Sequence, residues 1–204
     1  MEFIETLEDL RALYGTVSEN AVKKQLDRLD AHARHFLSLS PFAAVGTQAP
    51  DGMGDVTPRG DGPGFALVLD DRTIAIPDRP GNRRLDTLEN IVRNPAVGLL
   101  FMIPGMNETL RINGLARITT DAALCERLAM NGKPAITAMV VEVCEVYLHC
   151  AKAYMRSGLW KPETWPDRAE MPTLGQMLRD QIALANSATE IDQALEDGYA
   201  KTLW

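Results

Sequence analysis

Histidine and cysteine are scarce in this chain, three of each in 204 residues. Cys125, Cys144 and Cys150 form an odd set without C-x-x-C spacing, which argues against a disulfide framework and against a zinc knuckle. His32 and His35 stand three apart, a spacing that permits metal binding, but no carboxylate or cysteine partner accompanies them, so both read as surface or satisfied histidines. His149 and Cys150 are neighbours in a strand-like run, where consecutive side chains point to opposite faces, and do not make a nucleophile pair. No apolar run approaches the roughly 20 residues of a membrane span. The segment MEFIETLEDL is acidic where a signal peptide would be basic and then apolar, so a cytoplasmic location is expected, with no membrane partner. Basic excess is missing too. A net charge of -7 excludes a long groove for nucleic acid, and any anion site must be local. Neither Gly-Lys-Ser/Thr nor G-x-G-x-x-G occurs, which removes the P-loop and the dinucleotide fingerprint.

What is present is enough apolar composition, 46%, to bury one sizeable core. Phe3, Ile4, Leu7, Leu10 and Tyr14 recur at helical spacing up to Gly15. After Ser18, a plausible N-cap, Val22, Leu26, Leu29, Ala33 and Phe36 predict a second helix that ends at Ser40-Pro41. From Phe42 short β-prone runs follow (FAAVGT, GDVT, FALVLD, TIAIP, VGLLFMI, TLRINGLARIT, AITAMVVEVCEVYLH), separated by turn residues such as Asp51-Gly52 and Asp70-Asp71. Such tight links suit antiparallel pairing, because parallel strands need longer crossovers. Helical periods interrupt the strands at Leu85–Val92 and after Asp121, and Thr173-x-x-Gln176 and Ser187-x-x-Glu190 fit capping boxes. The expected fold is mainly β with α additions. One structural domain comprises N-terminal helices packing on the barrel (1–40), an antiparallel barrel (41–150) and a C-terminal helical extension (151–204).

Chemistry concentrates in TIAIPDRPGNRRLDTLENIVRNP, where a strand ends, a Gly/Pro loop follows, and a helix begins at or near Arg83. Free N–H groups at a helix start attract anions, and the guanidinium forks of Arg79, Arg83 and Arg84 match phosphate oxygens. Surface salt bridges to Asp78, Asp86 or Glu89 explain the same arginines, and from the loop alone the two readings are balanced. Asp55–Phe65, rich in Gly and Pro around Arg59, reads by itself as a long hairpin loop.

In order along the chain, SPFAAVGTQAPDG, TPRGDGPGF, IPDRPGNRR with LENIVRNPAVGLLFMIPG, ETLRINGLARI and HCAKAYMRSGLW resemble the pyridoxamine-phosphate-oxidase-like proteins of the FMN-binding split-barrel superfamily, most closely a subgroup of unassigned substrate. The resemblance spans Phe36 to about Trp160. It implies a split β-barrel, non-covalent FMN, and a homodimer with the flavin site at the subunit interface. Asn82, Arg83 and Arg84 fall on the family's S-R-K segment, whose basic pair grips the FMN phosphate. Arg59, Gly60 and Asp61 fall near the flavin-edge strand, Ile76 and Pro77 on the backbone beside the isoalloxazine, and Thr109 or Arg111 on the next strand's contact. Lys152, Arg156, Ser157 and Trp160 match a block that reaches the flavin of a partner chain. The Arg-x-His element that binds the vitamin in true pyridoxamine phosphate oxidases is missing, so vitamin oxidation is not expected.

A bound flavin carries the redox chemistry, which leaves the protein to bind, orient and tune it. The expected function is therefore oxidation or reduction of a small organic molecule by hydride transfer, with Arg59, Arg111 or Lys152 as the cation near the pyrimidine end of the ring. A deazaflavin in place of FMN, or a flavin store, haem binder or redox sensor without turnover, are the alternatives on the same fold. Trp165 and Trp204 read as anchors rather than stacking partners, and Met102, Met106, Met130 and Met139 as apolar filler.

Overall fold

The computed structural model describes residues 1–203. Trp204 lies outside the described residues. Seven strands form the centre: β1 (Phe42–Gln48), β2 (Gly54–Gly60), β3 (Leu67–Val68), β4 (Thr73–Asp78), β5 (Ala96–Met102), β6 (Thr109–Thr119) and β7 (Thr137–His149). They pair antiparallel throughout in the order β2-β1-β5-β6-β7-β4-β3. The two ends of the curled sheet, β2 and β3, do not pair with each other, which leaves the barrel split along one seam.

Alternation decides which side of the sheet is the core. Ala43 and Val45 of β1, Val97, Leu99 and Phe101 of β5, Leu110 and Ile112 of β6, and Val141, Val143 and Val146 of β7 all bury inward. A bulge at Asn113/Gly114 shifts the register of β6 on β7. Only glycine fits there, because a Cβ on Gly114 would lie 2.1 Å from the Glu142 carbonyl oxygen. The strand runs read from the sequence thus hold, except that FALVLD narrows to the two residues of β3, and one loop needs correction. The presumed loop Asp55–Phe65 is strand as far as Gly60. Pro58 is tolerated because β2 is an edge strand, bonded only to β1, where a missing N–H need not break a ladder.

Eight α-helices decorate the sheet among the described residues: α1 (Leu7–Tyr14), α2 (Glu19–Lys23), α3 (Ala31–Leu39), α4 (Asp86–Arg93), α5 (Ala122–Arg127), α6 (Lys152–Ser157), α7 (Leu174–Ile182) and α8 (Ala188–Thr202). The single helix expected from Val22 to Phe36 is two. Leu26 exchanges backbone hydrogen bonds with Val146 at 3.0 and 2.8 Å, and Asp30 then caps a new start by accepting from the Ala33 N–H at 2.8 Å. Of the N-terminal helices α3 packs on the barrel through Ala33, Phe36 and Leu37, while α1 and α2 bury no residue. Both predicted C-terminal caps form, on Thr173 and Ser187, the latter as a reciprocal box with Glu190. Helices α7 and α8 pack on each other where Gly175 approaches Asp192, whose carboxylate accepts the Gly175 N–H at 2.7 Å.

Candidate functional site: an arginine-lined cavity at the barrel seam

The loop after β4 is shaped by two non-glycine residues in the left-handed region, Arg83 and Leu85, both at φ 62°. Such conformations are uncommon outside glycine and cluster at functional loops. The Asn82 side-chain oxygen accepts the Arg84 N–H at 3.1 Å and tightens the turn. The helix begins three residues later than expected, at Asp86, because Leu85 still holds the left-handed conformation. Leu85 offers no side-chain cap, so the first-turn N–H groups of α4 point out without one, unlike those of the helices capped by Thr6, Ser18, Asp30, Asp121, Thr173 and Ser187.

A polar contact, not an apolar stripe, seats α4. The sequence pattern assigned Leu85, Leu88, Ile91 and Val92 to its inner face, yet Leu85 and Val92 are exposed, and the buried residues are Thr87, Asn90 and Ile91. The Asn90 amide donates to Thr47 Oγ1 at 3.1 Å, and the Thr47 and Thr87 hydroxyls reach Asp55 Oδ2 at 3.3 and 3.4 Å. This buried network fixes the arginine loop against β1 and β2, since a buried polar group left without a partner would be costly.

Between the loop, the inward face of β2 and the start of β7 lies a cavity of about 1000 Å³. Asp55, Val56, Thr57 and Arg59 line it from β2, Asp78 and residues 79–88 from the loop and α4, Ile136 and Thr137 from the β7 side, and Thr202 from the end of α8. Of the residues singled out in the sequence, Arg59, Asn82, Arg83 and Arg84 meet here. The three loop arginines are not equivalent. Arg79 is structural: Nε and Nη2 donate to Asp61 Oδ2 at 3.0 and 2.8 Å, and Nη2 also donates to the Leu128 carbonyl at 2.8 Å. Arg84 pairs with Asp86 at 2.8 Å in an exposed setting, the surface bridge anticipated as the alternative. Arg83 is exposed, and no hydrogen bond or ion pair engages it among the described residues.

Deeper in the cavity, Arg59 Nη1 donates to Thr57 Oγ1 at 3.0 Å and to the Pro58 carbonyl at 2.9 Å, while Nη2 stands 3.7 Å from Asp78 Oδ1. Burial pushes the Asp78 carboxyl above its ordinary range, and the Arg59 charge opposes that shift.

The remaining candidates lie elsewhere. Gly60 closes β2 and Asp61 serves Arg79, while Ile76 and Pro77 are buried in β4 opposite Met139 and Ala138. Thr109 is buried at the start of β6. Arg111, on the outer face, holds its guanidinium 5.6 Å from the Tyr147 ring centre, whose other cationic neighbour is Lys24 at 5.4 Å. Lys152, Arg156 and Ser157 are exposed on α6; Trp160 stacks on Tyr154 and donates to the Met106 carbonyl at 2.8 Å. None of these lines the cavity of its own chain. His149 accepts the Cys150 backbone N–H at 3.1 Å. Asp78, Thr137 and Thr202 escaped the sequence reading as site residues. Asp78 had a signal, being the last residue of a strand that feeds the arginine loop; the other two arrive only through tertiary packing.

No curated protein matches the chain. Among solved structures, HupZ from Group A Streptococcus is 15% identical with a TM-score of 0.49 over 59% of this chain and 93% of that one. A putative pyridoxamine 5'-phosphate oxidase from Lactobacillus delbrueckii is 19% identical with a TM-score of 0.48, covering 61% and 98%. A protein from Clostridium acetobutylicum related to general stress protein 26 is 17% identical with a TM-score of 0.46, covering 58% and 85%. The family model described as Pyridoxamine 5'-phosphate oxidase matches residues 29–150. That match runs through α3, all seven strands and the arginine loop, more than half of the sequence, and the chain therefore belongs to the pyridoxamine 5'-phosphate oxidase family.

Proposed function

We propose that the protein binds FMN non-covalently in this cavity and acts as an oxidoreductase on a small organic substrate, as a homodimer. The observation that carries the reading is the stretch of cavity wall where the uncapped start of α4 meets Arg83 and Arg84. Backbone N–H groups at a helix start and two guanidinium groups are the donor set a phosphate dianion needs, in a protein that is acidic elsewhere. A cavity of about 1000 Å³ stands at the upper end of the usual range of roughly 300–1,000 Å³ and leaves space for a cofactor and a small reactant together. Among the described residues lining it there is no histidine, cysteine, methionine or tyrosine, so this wall offers no ordinary axial ligand to a haem iron, which favours flavin over haem.

FMN, when bound, supplies hydride chemistry at its ring. The chain's own work is to hold and to tune. Arg83 and Arg84 anchor the phosphate, Arg79 with Asp61 braces the loop, and Arg59 brings a fixed positive charge to the cavity wall that favours a reduced, anionic ring. The dimer is supported by the outer sheet face, where Phe42, Val56 and Leu115 are exposed on β1, β2 and β6. In such a dimer Lys152, Arg156, Ser157 and Trp160 would approach the partner's flavin.

Anaerobic mixing of the FMN-loaded protein with NADH or NADPH tests for turnover. Bleaching of the flavin band supports an oxidoreductase, whereas inertness toward these and other donors leaves a flavin store or sensor. The absorption spectrum of co-purified cofactor separates FMN from a deazaflavin, and light scattering on the eluting protein reads the dimer.

A further inference from the structure

Arg59 and Asp78 face each other across the seam with unspent hydrogen-bonding capacity. Among the described residues the Asp78 carboxylate accepts no hydrogen bond, although its side chain is only 19% exposed, and Arg59 spends Nη1 while Nη2 finds no acceptor. At 3.7 Å the two groups are too far apart to bond each other well, yet close enough to bond neighbouring atoms of one ligand edge. A cation approaching Asp78 is repelled by Arg59, and an anion approaching Arg59 is repelled by Asp78. The complement is a neutral edge with a carbonyl beside an N–H.

We propose that Arg59 and Asp78 recognise the imide edge of the flavin's pyrimidine ring, Arg59 Nη2 donating to a ring carbonyl and Asp78 accepting the adjacent ring N–H. The assignment rests on the reading of this cavity as a flavin site, because the same cavity holds Arg83 and Arg84 for the phosphate. It gives the carboxylate, now held unfavourably in a partly dry setting, the donor it lacks. It also orients the ring, since the phosphate fixes one end of the cofactor and a two-point contact fixes the other.

The test compares FMN with its N3-methyl analogue, which lacks the ring N–H, in fluorescence titrations of the wild-type protein and of Asp78→Ala. Wild type is expected to bind FMN at least tenfold more tightly than the methyl analogue. Asp78→Ala is expected to bind the two within about twofold of each other, as one lost charge-assisted hydrogen bond implies. Equal binding of both ligands by wild type, or a tenfold preference that survives in Asp78→Ala, overturns the assignment while leaving the flavin site intact. If Asp78→Ala does not fold, Asp78→Asn serves, with a fivefold or greater loss of FMN affinity expected and an unchanged affinity counting against it. Failure of wild type to bind FMN at all would instead remove the parent reading.

Discussion

The three arginines of one short loop should separate cleanly under substitution. Arg83 is exposed and meets no partner among the described residues, so Arg83→Ala should leave the melting temperature within about 2 °C of wild type, the range for a surface change of up to ±0.5 kcal/mol in a chain of this length. If it grips the phosphate, FMN binding loses a charge-assisted contact of about 1.5–3 kcal/mol, or about 10- to 150-fold in Kd. Arg84 has to leave Asp86 first. That exposed pair is worth about 0.2–1 kcal/mol, so the loss for Arg84→Ala should be smaller, about 5- to 30-fold. Arg79→Ala should behave in the opposite way. Its partner Asp61 has a side chain only 9% exposed, and stranding that carboxylate should destabilise the fold by about 3 kcal/mol, with FMN affinity lost only through the slackened loop. Thermal melts and FMN fluorescence titrations on the three variants give both quantities. If Arg83→Ala binds FMN as wild type does, or if Arg83→Ala rather than Arg79→Ala lowers the melting temperature, the division between grip and brace is wrong.

Gly114→Ala should force the β6–β7 bulge apart, because its Cβ would meet the Glu142 carbonyl oxygen at 2.1 Å; a loss of about 3 kcal/mol, or about 6–12 °C in Tm, is expected in a thermal melt. Thr47→Val should strand the Asn90 amide and lose about 1–3 kcal/mol, and adding Asn90→Leu should restore part of it; a double variant no more stable than the single one would contradict the hydrogen-bond account of how α4 is seated. Asp78 sets a pH dependence. Its folded carboxyl titrates above the ordinary 3.8, so the native state holds the proton more tightly, and stability present at low pH is lost as pH rises from 3.8 through the folded value. Asp78→Asn lacks that loss and should gain on wild type in denaturant midpoint between about pH 3.5 and pH 7 in the ligand-free protein; a constant difference across that range would refute it.

Where β-prone runs bounded by turn residues marked the strand, the sequence was legible, and Ala43–Thr47, Val97–Phe101 and Val141–Val146 fall where those runs put them. It failed where tertiary contact overrode local preference. Leu26 continues a helical period but is taken by a backbone bridge to Val146. Pro58 and Gly60 read as loop, although an edge strand accommodates them. Helix α4 carries its buried face on Thr87 and Asn90, because the partners Thr47 and Asp55, some 30 to 45 residues away, make polar residues the better fit there. The site was half legible for the same reason. Arg59, Asn82, Arg83 and Arg84 could be found by motif, but nothing local marks Thr137 or Thr202 as walls of the same cavity. Of the surface salt bridges that explain the loop arginines equally well from sequence, only Arg84–Asp86 forms among the described residues, while Arg79 turns to the nearly buried Asp61; the backbone turn at Arg83 and the uncapped helix start are what a sequence does not display.

The central claim is that the arginine-lined cavity is a flavin site, and equilibrium titration of FMN fluorescence with the purified protein tests it most directly. Saturable quenching at one FMN per chain, abolished when Arg83 and Arg84 are both replaced by alanine, is the predicted result. Absence of saturable binding to wild type, or binding that the double replacement leaves unchanged, would contradict the account.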